Sequence, residues 1–364
     1  MNLEFAKGGR RFRFFDRFDE PARRFEDELR AVAMSVGALP WPRLSHPQSY
    51  RHLDGAAEKF FVLQMQGARA RFQICVVEHA SRLPWFKTGI APYWIPAAEP
   101  EAREDQEELL GTLRELCRTR TSLMSVRAHA YTPGDEALAA AQALLARAGF
   151  TPCEPQAPER TRLVDLAPPL AELLASFPGK TRRWLTIQDP AAARAAELSD
   201  RRLIPALRAA LDDSFSRSTG ERVSHDFEAL FSSLERHPGS AAVVGFFLAA
   251  EPDAPLAFAS AVSHGPVFEY ATAGSRSSEA LRKLPFNYVL LWRLIELAKA
   301  RGARLFDLGG ITDQGPDDPL AGISHFKRRF PGFETSVGRE ALLELRPLRR
   351  RLFTLLQAGK KCLR

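Results

Sequence analysis

Two short segments in the last third of the chain combine chemically capable side chains with glycines. They are FDLGGI at residues 306–311 and ISHFKRRF at residues 323–330. In the second segment, Lys327 carries a compact ammonium that suits a point of developing negative charge, such as the oxyanion of an acyl transfer. Lys327 is therefore a candidate for such a partner. The alternative is a solvated basic face that it shares with the two arginines that follow it.

The first segment allows two interpretations. The glycines at 309 and 310 follow Asp307 at a predicted strand end, where glycine permits close backbone approach or a positive φ. Asp307, Gly309 and Gly310 could contact a ligand directly. They could equally form a tight turn in which the Asp307 carboxylate accepts hydrogen bonds from loop amides.

Hydrophobic periodicity gives the same order of elements twice. Three strands, a helix, a strand and a second helix occupy residues 60–148, and the order returns over residues 241–345. Two passes of βββ-α-β-α-β indicate tandem copies of one α/β unit, and the order resembles the GNAT acyltransferase fold. We predict a mixed α/β protein with two GNAT-like domains and no coiled-coil arm. The domains would be 1–166 and 167–339, with a C-terminal helix at 340–364 packing on the first.

Several potential cofactor and metal motifs fail on their context. GKT at 179–181 imitates the end of a P-loop, but Leu174 stands where that loop needs glycine. The acetyl-CoA pattern Q/R-x-x-G-x-G/A matches only at 236–241, after a predicted helix and before a strand, which is the wrong order for a pyrophosphate site. The four cysteines are scattered without metal-ligand spacing. We expect no cofactor and no bound metal.

Further motifs resemble those of the Fem family of aminoacyl-tRNA-dependent transferases (FemABX), which build peptidoglycan interpeptide bridges. FDLGGI with FKRRF is similar to the family's YDLGGI and FKRGFGG. KLP at 283–285 resembles the family's lead-in to that strand, EY at 269–270 with AGS at 273–275 its YxxxGS/A, and KTRR at 180–183 its hinge. These matches lie within residues 146–346, over half of the chain.

The resemblance implies a role for each matching residue. It places Lys327 at the junction of acceptor and donor, as the oxyanion partner. The implied substrate-binding residues are Phe326, Arg217, Tyr270, Asp307, Gly309 and Gly310. Arg217 would bind a diphosphate of the acceptor through its guanidinium, or else be an exposed helix-end arginine. Tyr270 would reach substrate from its strand end, or else belong to the core.

The chain departs from the family in its first half. APYWIP at 91–96 replaces the family's iprGP, and RAHA at 127–130 replaces a segment that often carries an acidic residue followed by proline. A candidate catalytic carboxylate is therefore absent. Two alternatives to a Fem transferase stay open: an acyl-CoA-dependent GNAT N-acyltransferase, and a non-catalytic descendant that binds RNA or a cell-wall precursor.

Charge and hydropathy bear on partners. The net charge of +7 and the pI of about 9.4 favour polyanionic partners such as RNA. Residues 347–364 read as a basic amphipathic helix, which could pack on the fold or contact a membrane. The N-terminus lacks the apolar segment of a signal peptide. We expect a cytoplasmic protein, with peripheral contact at the inner membrane face as a further option.

Together these observations predict an aminoacyltransferase. The donor would be an aminoacyl-tRNA with a small amino acid, glycine on the family resemblance. The acceptor would be a muropeptide precursor, either lipid II or a UDP-linked pentapeptide, with a free side-chain amine.

Overall fold

The computed structural model divides into two compact units. The described residues are 2–16, 20–21, 24–25, 28, 59–67, 71–78, 86–94, 100–132, 134–156, 159–186, 192–218, 225–236, 238–239, 241–264, 267–313, 315, 318 and 321–362. Among them, unit 1 runs to Glu159 and resumes at Ser336, and unit 2 runs from Arg160 to Thr335. Along the chain, unit 2 is therefore inserted between two parts of unit 1.

Unit 1 is built on a sheet of eight described strands. They are β1 (Asn2–Lys7), β2 (Arg10–Phe15), β3 (Lys59–Gln66), β4 (Arg71–Glu78), β5 (Lys87–Trp94), β6 (Leu123–Tyr131), β7 (Thr151–Pro152) and, from the end of the chain, β15 (Gly338–Glu344). Their order across the sheet is β1-β2-β3-β4-β5-β6-β15-β7. Only β5 and β6 pair in parallel among these neighbours.

Two helices cover the apolar face of this sheet. They are α1 (Pro100–Thr119) and α2 (Asp135–Arg147). Leucines recur along both helices at helical spacing and are buried in one core with the strands: Leu109, Leu110, Leu113, Leu144 and Leu145. Gly149, with φ 91°, follows α2, and its amide bonds to the Ala146 carbonyl at 2.9 Å. The predicted glycine stop of this helix is present.

The strand β15 completes the first sheet from the far end of the chain. It pairs antiparallel with β6, with Ala341 opposite Ala128, and with β7 on its other edge. Ala341 and Leu343 are both under 5% exposed. The sequence pattern placed residues up to 339 in the second domain, but the apolar run of β15 is buried in the core of unit 1, so the chain returns there at Ser336.

Unit 2 is built on a second sheet of seven described strands. They are β8 (Arg160–Asp165), β9 (Ala193–Glu197), β10 (Ala241–Leu248), β11 (Ala257–His264), β12 (Val267–Ser275), β13 (Leu305–Ile311) and β14 (Phe333–Ser336). Their order is β14-β8-β13-β12-β11-β10-β9. β12 and β13 pair in parallel. Because β8 pairs with β13, unit 2 begins at Arg160, whereas the sequence prediction ended the first domain at residue 166.

Helices lie on both faces of the second sheet. They are α3 (Leu170–Ser176), α4 (Gly179–Thr186), α5 (Ile204–Ser218), α6 (Phe227–Arg236), α7 (Glu279–Arg282), α8 (Phe286–Ala300) and α9 (Ala321–Lys327). Alternate residues of β10 join different cores: Val244 and Phe246 pack with α8, while Val243 and Phe247 pack with α5 and α6. This alternation follows the two-residue period of a strand.

The element order predicted from sequence is confirmed. In unit 1 it is β3-β4-β5-α1-β6-α2-β7, and in unit 2 the strands β10, β11 and β12 precede α8, β13, α9 and β14. The prediction lacked the β1–β2 hairpin, whose arginine-rich sequence hides its alternation: Phe12 and Phe14 are buried, and Arg11 and Arg13 alternate with them.

The C-terminal helix α10 (Pro347–Cys362) contacts unit 1 through an unexpected side. Phe353 stacks on Phe86 with ring centroids 5.7 Å apart, and the Arg349 guanidinium donates to the Thr121 carbonyl at 2.7 Å. The leucines of the helix are exposed: Leu348, Leu352, Leu355 and Leu356. The helix therefore touches the fold with its basic and aromatic side, and its leucine side faces solvent.

Two leucine-to-alanine substitutions should distinguish the buried leucine of β15 from an exposed leucine of α10. Leu343→Ala removes a buried side chain from β15 and should lower the free energy of unfolding by about 2–5 kcal/mol. Leu355→Ala, on the exposed side of α10, should change it by less than about 0.5 kcal/mol. Urea unfolding of both variants measures this, and equal effects would contradict the placement of β15 in the core.

Candidate active site

Lys327, the last residue of α9, is buried within unit 2. It is 5% exposed, and its Nζ donates to the Gly310 carbonyl at 2.7 Å. The loop that follows β13 is bonded to the same helix, because the Thr312 amide donates to the Ser324 hydroxyl at 3.0 Å. The helix is thus fixed to the end of β13, and Lys327 points inward from a basic run rather than into solvent.

The surroundings of Lys327 weaken its hold on a proton. Burial lowers the pKa of its ammonium from 10.5 to about 8, although Asp307 and Glu269 act in the opposite direction. Those two carboxylates lie opposite each other in the parallel register of β12 and β13. At neutral pH the side chain is a desolvated cation, which interacts with a nearby negative charge far more strongly than a hydrated one.

Asp307 is held by its own turn. Its buried carboxylate accepts hydrogen bonds from the Thr161 hydroxyl at 2.5 Å and from the Gly309 amide at 2.8 Å. The turn interpretation of the FDLGGI segment is therefore what the structure shows. Asp307 acts on Lys327 by its charge and by shaping the backbone that receives it.

Gly309 is required at its position for two reasons. Its φ is 78°, a conformation that disfavours side chains with Cβ. A Cβ there would lie 3.3 Å from Lys327 Nζ. The pairing of β13 with β8 shifts register between Asp307 and Gly310, so the strand bulges where the lysine enters. Gly309 thus leaves room for the ammonium.

Tyr270 lies on β12 beside this turn. Its carbonyl oxygen is 3.9 Å from the position a Gly309 Cβ would take, and its ring packs against the main core of unit 2. Burial raises the pKa of its phenol to about 12, so the hydroxyl stays protonated at neutral pH. The structure brings Tyr270 and Lys327 together and also supports the core role that the sequence left open.

An aromatic cluster adjoins Lys327. Phe326 packs against Tyr288 with ring centroids 4.8 Å apart, and the ring centroids of Trp184 and Tyr288 are also 4.8 Å apart. All three are half-buried. Sequence reasoning found Phe326 but missed Trp184 and Tyr288. The available sign was the departure at the hinge, where WLTI at 184–187 replaces the family's N-I-x-K-A.

Cations flank these rings. The Arg329 guanidinium carbon is 5.9 Å from the Trp184 ring centroid, and Lys180 Nζ is 5.2 Å from it. Arg329 also hydrogen-bonds the Tyr288 side chain, which offsets part of the burial that raises the pKa of Tyr288. Aromatic faces with adjacent cations suit planar, negatively charged ligands such as nucleotides.

Arg217 is not brought to this group. It lies at the exposed end of α5, donates to the Ser275 carbonyl at 2.9 Å and pairs with Asp213 at 3.0 Å. Ser275 is five residues along β12 from Tyr270, roughly 16 Å of extended chain. The structure agrees with the helix-end alternative, and contact with an acceptor diphosphate stays a prediction.

In unit 1, the RAHA segment at 127–130, in which His129 stands where the family often has an acid, begins with a structural ion pair. Arg127 on β6 bonds the buried Glu340 of β15 and donates to the Glu154 carbonyl at 2.7 Å. Glu340 also accepts from the Gln156 amide at 3.0 Å. The Glu340 carboxylate is therefore engaged in joining β6 to β15.

Comparisons with known proteins agree with this architecture. Residues 179–328 match the family described as Acetyltransferase (GNAT) domain. The crystal structure of FemX superposes with a TM-score of 0.72 at 13% identity, over 90% of this chain and 98% of that one. The chain therefore has the fold of two tandem GNAT-like units. The likeness of its motifs to the Fem transferases is confirmed at the level of the fold, which is all that such an identity shows.

Two further solved structures are also similar. A tandem GNAT protein from the clavulanic acid biosynthesis pathway gives a TM-score of 0.52 at 14% identity, over 92% of this chain and 98% of that one. The C-terminal domain of a putative lysylphosphatidylglycerol synthetase from Agrobacterium fabrum also gives 0.52, at 12% identity, over 88% and 93%. A search of curated protein sequences found no match. Within the described residues, no helix of this chain is long and apolar enough to cross a membrane.

The burial of Lys327 predicts a pH-dependent stability. Its folded pKa of about 8 lies below its value of 10.5 in an unfolded chain, so the unfolded state binds more protons between these values. The cost of burying the ammonium is therefore present below about pH 8 and disappears as the pH rises to about 10.5. Relative to Lys327→Met, the wild type should gain roughly 2–3 kcal/mol between about pH 7 and about pH 10. Urea unfolding of both proteins at the two pH values measures the gain, and a constant difference would place Lys327 in solvent.

Proposed function

We propose that this protein is an aminoacyltransferase that moves a small amino acid, glycine being the first to test, from aminoacyl-tRNA to the side-chain amine of a peptidoglycan precursor. The observation that supports this most is the buried Lys327 against the Gly310 carbonyl, beside the Asp307 turn. The two segments that resemble Fem motifs thus meet in one hydrogen bond, although 17 residues separate Gly310 from Lys327 along the chain. Since this donor is made in the cytoplasm, we place the reaction there.

The proposed transfer reaction needs one cation to stabilise the negative charge that forms on the carbonyl oxygen. The acceptor amine attacks the carbonyl carbon of the ester that joins the amino acid to the tRNA, and negative charge collects on the carbonyl oxygen. The Lys327 ammonium, which gives one hydrogen bond to Gly310, would direct a remaining proton to that oxygen. As the ester bond breaks, the ribose oxygen leaves with the proton that the amine releases, so the group transfer needs no external oxidant or reductant.

The neighbouring aromatic cluster supports a nucleic-acid donor. Trp184, Tyr288 and Phe326 are half-buried, Phe326 directly precedes Lys327 on α9, and Arg329 and Lys180 lie beside Trp184. A base of a tRNA end could stack there while a cation meets its phosphate. The position of the cluster on α4, α8 and α9 puts this platform in the same unit as the lysine.

One observation favours the acyl-CoA-dependent alternative, and two argue against it. The match of residues 179–328 to an acetyltransferase domain favours it. However, the segment 236–241 that imitates a pyrophosphate loop runs from the end of α6 into β10, as expected from sequence. At the connection from β12 to α7, where amides would be needed, the Ser277 amide already donates to the Asp213 carboxylate at 2.5 Å. That amide is therefore occupied by a carboxylate, which also pairs with Arg217 at 3.0 Å.

The donor decides between these functions. Incubation with a lipid-linked or UDP-linked muropeptide should give a product heavier by one amino acid with charged tRNA, and no acetylated product with acetyl-CoA, as read by mass spectrometry. Binding of tRNA should weaken about tenfold or more between about 50 and 200 mM salt, because even two phosphate contacts release counterions. Acetylation by acetyl-CoA would establish the alternative, and binding of tRNA without any product would indicate the non-catalytic descendant.

Replacement of Lys327 tests its role. Lys327→Met keeps most of the side-chain volume but removes the charge, and kcat should fall about 10²–10³-fold while KM changes little. Arg329→Met is the matched control on the same basic run. It should raise KM for tRNA and leave kcat within about twofold, because Arg329 lies beside Trp184.

The pH dependence of kcat distinguishes two forms of the lysine. If the ammonium is the active form, kcat of the wild type should decline as the pH rises through about 8, the pKa of the buried side chain. A kcat that rises over this range would assign Lys327 as a base instead, and equal kcat values for both methionine variants would remove it from the site.

A further inference from the structure

The C-terminal helix α10 presents a leucine face to solvent. The exposed fractions are 79% for Leu348, 50% for Leu352, 70% for Leu355 and 46% for Leu356. These positions follow the spacing i, i+4, i+7 and i+8, which places them along one side of the helix. Large apolar side chains exposed together mark an interaction site more often than the same residues scattered singly.

The opposite side of α10 is already committed to unit 1. Phe353 stacks on Phe86, and Arg349 donates to the Thr121 carbonyl. Arg350 forms an ion pair with Glu344 at the end of β15. These contacts fix the rotation of the helix about its axis, so the leucine face cannot turn inward without breaking them.

Basic residues border the leucine face. At about 100° per residue, Arg351 lies on one side of the leucines and Arg349 on the other. Arg351 is exposed. Arg349 is half-buried, and its guanidinium is bonded to the Thr121 carbonyl. Apolar residues bounded by cations are typical of helices that lie in the interface of an anionic membrane, with leucines in the acyl region and arginines at the headgroups.

We propose that α10 docks this protein on the surface of an anionic phospholipid bilayer. The helix has 16 residues, fewer than the roughly 20 needed to span a bilayer, so it lies in the interface. A second copy is the weaker candidate, because a stable protein interface takes roughly 20–30 residues a side and the bordering arginines would meet their like. The proposal stands on the helix alone and does not depend on the proposed transfer reaction. If both hold, the lipid-linked acceptor is favoured over the UDP-linked one.

Vesicle sedimentation of the full chain tests the proposal. The wild type should sediment with vesicles of phosphatidylglycerol and phosphatidylcholine, and at least tenfold less with phosphatidylcholine alone. The double variant Leu348→Gln, Leu355→Gln should lose at least tenfold in partitioning to the anionic vesicles. Arg351→Gln should lose severalfold, in line with the contribution of one surface cation.

The control variant carries the same substitution elsewhere. Leu284→Gln, at an exposed leucine of unit 2, should sediment like the wild type. The double variant and Leu284→Gln should both keep the wild-type melting temperature, since these leucines make little contact with the core. Equal sedimentation of the double variant and the wild type would overturn the proposal, as would binding to neutral vesicles as strong as to anionic ones. A dimer in sedimentation velocity that the double variant abolishes would assign the face to a second copy instead.

Discussion

The hydrogen bond from the Lys327 ammonium to the Gly310 carbonyl is the constraint on which the site depends. Burying a cation is costly unless the surrounding groups compensate, and here two carboxylates and a carbonyl do so in part. The arrangement requires the left-handed Gly309, the Asp307 carboxylate held by Thr161, and the tie between α9 and the end of β13. The incomplete compensation is what leaves the pKa near 8.

The same arrangement explains the division of work in unit 2. β8 and β13 form the rigid base of the turn, and α9 brings the lysine to it with Phe326 alongside. The aromatic cluster then continues to α4 and α8 through Tyr288 and Trp184. Lys327, bonded to the end of β13, and the aromatic cluster, carried by α4, α8 and α9, can therefore be changed by separate substitutions. This is why Lys327 and Arg329 form an informative pair of variants.

Unit 1 depends on the end of the chain. Its sheet includes β15, and Glu340 of that strand links to Arg127 and to the Gln156 amide. Because these contacts join residues about two hundred positions apart, the sheet closes only after unit 2 has been synthesised, and such non-local pairing is slow to form.

The sequence by itself determined the order of elements and the pair of motifs at 306–311 and 323–330. Local periodicity and short motifs are properties of neighbouring residues, so they can be read before folding. It could not decide whether Lys327 faces solvent, since burial depends on β8, β12 and β13 meeting around it. Nor could it assign β15 to the first sheet or aim the leucines of α10 outward. Amphipathic patterns specify that a face is apolar, and only tertiary contacts decide what that face meets.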